Sequence, residues 1–158
     1  MANIKTLIAA TAAGGLTAAL LLILKKMNTK PLKNSTTTNP LAGRISQGFH
    51  SGHTAVDIAV PVGTEICAPW DGRVIKLWDD TVHGGGLSLR IRHDNGYTTG
   101  YAHLSSCLLA LGDRVQQGQP VALSGNTGFH TTGPHLHFVL CTPAGKRIDP
   151  QSVFSFQA

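Results

Sequence analysis

His135 and His137 flank Leu136 in the run Thr132-Gly133-Pro134-His135-Leu136-His137-Phe138. Imidazole ligates transition metals and also exchanges protons near neutral pH, so two of them side by side can divide those jobs. On an extended backbone, side chains two apart share a face. Gly133-Pro134 ahead of the pair and Phe138-Val139-Leu140 behind it predict a strand that starts from a turn. A His-x-His alone recurs by chance, so its weight comes from what converges on it. Upstream, His53-Thr54-Ala55-Val56-Asp57 offers a second histidine and a carboxylate, again on one face if the backbone is extended. Asp57 stands among Val56, Ile58, Ala59 and Val60, where a carboxylate is costly unless it is paired or bound to a cation. His53, Asp57 and one member of the His135/His137 pair make a two-histidine, one-carboxylate set. Three protein ligands with one open position are the arrangement of a catalytic zinc site, whereas a structural site is closed by four. His103, in Gly100-Tyr101-Ala102-His103-Leu104, is a candidate general base or hydrogen-bond donor. Tyr101, two residues earlier and so on the same strand face, is a lesser candidate for oxyanion stabilisation, with a core aromatic as an equal reading. His50 and His130 are placed as groove-lining residues, and His83 and His93 as solvated loop residues.

Strands must position these groups. From residue 43 onward, short β-favouring runs are broken by turn signals every eight to twelve residues, the signature of an all-β sandwich or barrel. Val56–Val60 stops at Pro61-Val62-Gly63, and Gly72–Trp78 stops at Asp79-Asp80. Leu87–His93 alternates and ends at Asp94-Asn95-Gly96, whose Asn-Gly predicts a hairpin with Tyr97–His103 as the returning strand. No long 3.6-residue period occurs after residue 43, so any helices are short.

The chain of 158 residues carries a formal charge of +5. The whole excess is Lys5, Lys25, Lys26, Lys30 and Lys33; beyond residue 40 acids and bases balance, which argues against a nucleic-acid-binding patch. Cys67, Cys107 and Cys141 are odd in number and form no Cys-x-x-Cys pair; they read as small buried residues, with one disulfide as the alternative. Between Lys5 and Lys25 the chain is uncharged over about the ~20 residues that a membrane-spanning helix needs. Residues 1–27 are therefore read as a transmembrane anchor, in preference to a cleaved signal peptide, because Lys25-Lys26 follows at once and no small-x-small site does. Residues 28–42 read as a flexible polar linker and 43–158 as the globular domain. The lysines after the anchor would hold the domain on the cytoplasmic side, which conflicts with an extracytoplasmic enzyme and fits more naturally a chain delivered in a membrane-bearing phage particle; the membrane of such a virion and the bacterial envelope are the two locations expected.

Arg44 to Pro150 resembles the lysostaphin/LytM-type zinc endopeptidases of peptidoglycan. The resemblance rests on an ordered series: His53 to Asp57 as His-x-x-x-Asp, Tyr101-Ala102-His103-Leu104, and His135-Leu136-His137. Asp57-Ile58-Ala59-Val60-Pro61-Val62-Gly63-Thr64, Gly118-Gln119-Pro120-Val121, Gly125-Asn126-Thr127-Gly128 and Ile148-Asp149-Pro150 match in the same order. The resemblance implies antiparallel β-sheets forming an open groove. It implies one zinc held by His53, Asp57 and His137, a catalytic pair of His103 and His135, and peptidoglycan stem or bridge peptides as substrate. Three departures stand out. Ala55 replaces a usual glycine, the loop Gly128–Gly133 is one residue longer, and Val139 follows Phe138 where a glutamate is usual. They fall on the groove's rim and bear on specificity. The alternative is a non-catalytic wall-binding or activator module on the same fold, which should lack one or more of the five residues. A biotinyl- or lipoyl-type carrier, suggested by Ala68–Val74 and Leu111–Gln119, lacks its acceptor lysine in a hairpin turn.

Overall fold

The computed structural model describes residues 37–82 and 84–157. The expected anchor over 1–27, the linker over 28–36 and His83 lie outside them. Among the described residues no helix is long and apolar enough to cross a membrane. The elements are β1 (Arg44–Gln47), β2 (Val56–Ala59), β3 (Glu65–Cys67), β4 (Gly72–Asp80), β5 (Gly86–His93), β6 (Thr98–Leu104), β7 (Ser106–Cys107), β8 (Arg114–Val115), β9 (Pro120–Leu123), β10 (His135–Cys141) and β11 (Arg147–Ile148), followed by a 3-10 turn over Pro150–Ser152.

All-β antiparallel architecture is what the alternating runs predict, and it is what forms. One sheet has the order β1-β2-β10-β6-β5-β4-β8, with β11 alongside β10; a second has the order β3-β9-β7. Alternation decides the faces. On β10, Leu136, Phe138 and Leu140 are fully buried, joining Val56 and Ile58 of β2, Leu89 and Ile91 of β5, and Ile66, Val121 and Ala122 from the smaller sheet in one core. The opposite parity on β10, His137 and Val139, faces the groove. Phe154 and Phe156 from the C-terminal tail close the core against Phe138. Burying an aromatic ring of this size contributes about 2–3 kcal/mol.

The packed chain begins before the expected boundary at residue 43. The Thr38 N–H donates to the Pro69 carbonyl, the Cys67 N–H donates to the Pro40 carbonyl at 2.8 Å, and Leu41 is buried. Polar composition hid this, because the segment is tied down by backbone bonds and a single leucine. All three cysteines are free thiols, half-buried.

His93 departs from its sequence reading. It is buried at the end of β5, with Nδ1–H donating to the Trp70 carbonyl at 3.1 Å and Nε2 2.7 Å from the Thr99 hydroxyl. Its ring packs edge-on against Trp70. Gly72 leaves the room it needs, since a Cβ there would lie 3.0 Å from His93 Nδ1. Burial pushes the imidazole down to about 4, from an ordinary 6.5. The unfolded chain therefore takes up a proton below pH 6.5 that the folded chain refuses until about pH 4. Stability from this group is complete above pH 6.5 and falls as the pH drops to 4, by roughly 3 kcal/mol in all. Urea unfolding of the full-length chain at pH 7 and at pH 4.5 should show this loss, and His93→Gln should flatten the dependence.

Candidate metal centre

Asp57 on β2 lies directly opposite His137 on β10 in the antiparallel register. His53 reaches the same point from the loop before β2, where reciprocal backbone bonds to His50 at 2.9 and 3.0 Å fix its position. Ligand atoms of His53, Asp57 and His137 all lie within 4.8 Å of one another. His53 Nδ1 is 3.0 Å from the Gly48 carbonyl, which can only accept, so the ring's proton is there and Nε2 carries a lone pair. That lone pair lies 3.2 Å from Asp57 Oδ1 and 3.3 Å from His137 Nδ1, while His137 Nδ1 is 2.8 Å from the same carboxylate oxygen. A proton on His137 Nδ1 would satisfy Asp57 and leave His53 Nε2 facing a carboxylate without one. A cation at the centre satisfies all three, and a backbone carbonyl that orients a ligating imidazole is the usual outer support of a metal site. The residues therefore fit a metal ion. Burial raises the Asp57 carboxyl, but the hydrogen bond from His137 and the surrounding imidazoles outweigh it, leaving it below the ordinary value and ionised.

His103 and His135 stand beside this cluster and outside it. Their rings are 4.6 Å apart, and His103 lies 5.7 Å from the His137 ring. Each donates Nδ1–H to a carbonyl at 2.8 Å, His103 to Thr127 and His135 to Gly133. Both Nε2 atoms are thus left with lone pairs, that of His135 lying 3.8 Å from Asp57 Oδ2. Burial holds His103 below the ordinary histidine value, and its hydrogen bond to Thr127 offsets this only in part. It is a neutral acceptor at pH 7.

The shared face expected for Tyr101 and His103 does not hold. His103 has φ 60, a left-handed conformation that reverses the strand's alternation at its last turn. Tyr101 points into the core, 1% exposed, with its hydroxyl 2.9 Å from that of Thr99 and its ring against Phe138. It is a core aromatic and not an oxyanion donor. His103 turns instead into the groove, and the backbone behind it is closely packed: a Cβ on Gly125 would meet the backbone of Ser105, His103 and Leu104.

The groove, of about 330 Å³, is lined beyond the histidines by Gln47, Trp78, Arg90, His130, Val139 and Arg147. His130 lines it as the sequence suggested. His50 is exposed, with its ring 5.7 Å from that of His53. Sequence reasoning missed Trp78, Arg90 and Arg147. The placement of Trp78 and Arg90 depends on bulges between Val74 and Lys76 and between Leu87 and Leu89, which shift strand parity without a sequence mark, and that of Arg147 on the pairing of β11 with β10.

On the open face of an antiparallel sheet, a two-histidine, one-carboxylate donor set able to hold a metal ion thus stands beside two imidazoles with free Nε2 atoms. The chain belongs to peptidase family M23, whose sequence model matches residues 51–150. It is 42% identical over 88 residues to the peptidoglycan DD-endopeptidase ShyA of Vibrio cholerae, a match covering 56% of this chain and 20% of that protein. A zinc-containing peptidase from Vibrio cholerae superposes with a TM-score of 0.64 at 30% identity, covering 77% of this chain and 41% of that one. The catalytic domain of lysostaphin from Staphylococcus simulans gives a TM-score of 0.57 at 28% identity, covering 75% and 88%. The chain spans under a third of the length of the curated relatives it matches, as with ShyA.

Proposed function

We propose that this chain is a zinc-dependent endopeptidase that hydrolyses peptide cross-links of bacterial peptidoglycan, with His53, Asp57 and His137 as zinc ligands and His103 and His135 as the catalytic pair. One observation carries the reading: three ligand atoms converge without the protons to satisfy one another, while two further imidazoles with free Nε2 atoms stand beside them. The relatives named as peptidoglycan DD-endopeptidases and the zinc-containing structural neighbour support the substrate and the metal. His53, Asp57 and His137 would hold the zinc, which when bound would lower the pKa of a water and polarise a carbonyl.

The chain's own residues supply the rest. His103, neutral and fixed through Nδ1 by Thr127, accepts the attacking water's proton on Nε2 and delivers it to the leaving amine. His135, taking a proton from solvent on Nε2 while Nδ1–H stays on Gly133, donates to the developing oxyanion. Asp57 stays ionised throughout. The uncharged run between Lys5 and Lys25 supports tethering of the domain at a membrane.

Purified cell walls incubated with the full-length chain should release soluble peptide material. Chelator should stop the release and added zinc should restore it. Walls that bind the zinc-loaded chain and stay intact would make it a binding module.

A further inference from the structure

We propose that Arg90 forms a carboxylate-reading subsite in the groove, with Arg147 as a second cation on the opposite wall, so that the enzyme selects cross-links flanked by free carboxylates over uncharged glycine-type bridges. The proposal rests on the endopeptidase reading and names the substrate class for it. Among the described residues lining the groove, the sole carboxylate is Asp57, which is committed to the metal cluster. Neither arginine is ion-paired among the described residues. Arg114, by contrast, grips Asp94 at 2.7 Å on the surface. Arg147 donates to the neutral Thr54 hydroxyl at 2.7 Å, and Arg90 lies 5.8 Å from the centroid of the Trp78 ring. A guanidinium resting on an aromatic face keeps its N–H edge available, and that edge matches a carboxylate in bidentate geometry.

The register places the subsite. His137 faces Ala102 in one cross-strand row; in the next, Val139 faces Gly100, and Gly100 faces Arg90. Arg90 is thus two strand spacings and one two-residue step from the metal ligand, about 12 Å between backbones. An extended peptide advances about 3.4 Å per residue, so a carboxylate within about three residues of the scissile bond comes into reach. Between them the floor is Val139 and Gly100, a flat apolar strip that contributes no competing charge.

The test compares two forms of one cross-linked stem-peptide dimer, one with free carboxylates beside the cross-link and one with primary amides. Turnover is measured on the full-length zinc-loaded chain, and peptide affinity on its His103→Asn variant. Wild type should favour the acid form by about tenfold or more, with added salt eroding that preference. Arg90→Gln should slow the acid form by about tenfold and the amide form by less than about twofold; Arg147→Gln should act in the same direction. Equal losses on both forms, or no wild-type preference, would overturn the subsite. If wild type cuts neither form, the endopeptidase reading fails and affinity still decides: equal binding of acid and amide removes the subsite, and tighter binding of the acid form keeps it.

Discussion

His137→Ala is expected to abolish both zinc binding and hydrolysis while leaving the fold in place. His137 is one of three protein ligands, with its Nδ1 2.8 Å from Asp57 Oδ1 and 3.3 Å from His53 Nε2. Tightly bound zinc is worth roughly 10–16 kcal/mol over about four ligands, so losing one weakens binding by about two orders of magnitude or more. The ring is a quarter exposed and on the groove face, so truncation opens no core cavity. Zinc titration and thermal unfolding of the full-length variant separate the outcomes. A folded variant that retains stoichiometric zinc would show that the donors lie elsewhere.

His103→Asn is expected to keep the zinc and lose about 10²–10⁴ in kcat, the usual contribution of a general base. Asparagine suits the test because it tolerates the left-handed conformation recorded at φ 60 and retains an N–H for the Thr127 carbonyl. Alanine would confound loss of the base with a shifted backbone. Near-normal kcat in His103→Asn with full zinc would pass the base role to His135.

The gathering of His53, Asp57 and His137 was legible in the sequence because each half of the cluster is a short motif in a β-favouring run. His135 and His137 share a strand, and Asp57 lies in a β-favouring run that pairs with it. The hairpin at Asn95-Gly96 was equally legible: the His93 N–H donates to the Tyr97 carbonyl at 2.8 Å, and Gly96 adopts φ 86. What escaped depends on long-range register or on one backbone torsion. His93 sits beside a turn, yet it is buried through contacts with Trp70, 23 residues away, and Thr99. Tyr101 and His103 should share a face by alternation, and the left-handed φ at His103 separates them. Trp78, Arg90 and Arg147 line one groove only because β4, β5, β10 and β11 lie in one sheet, with bulges resetting parity in β4 and β5. Thr38 to Leu41 were assigned to a linker because backbone bonds leave no trace in composition.

Mass spectrometry of a cross-linked peptidoglycan peptide dimer after incubation with the full-length chain tests the central claim most directly. The expected result is two fragments whose summed mass exceeds the dimer by one water. They should be produced with zinc, absent after chelation and absent with His137→Ala. An intact dimer in the presence of the zinc-loaded wild-type chain would contradict it.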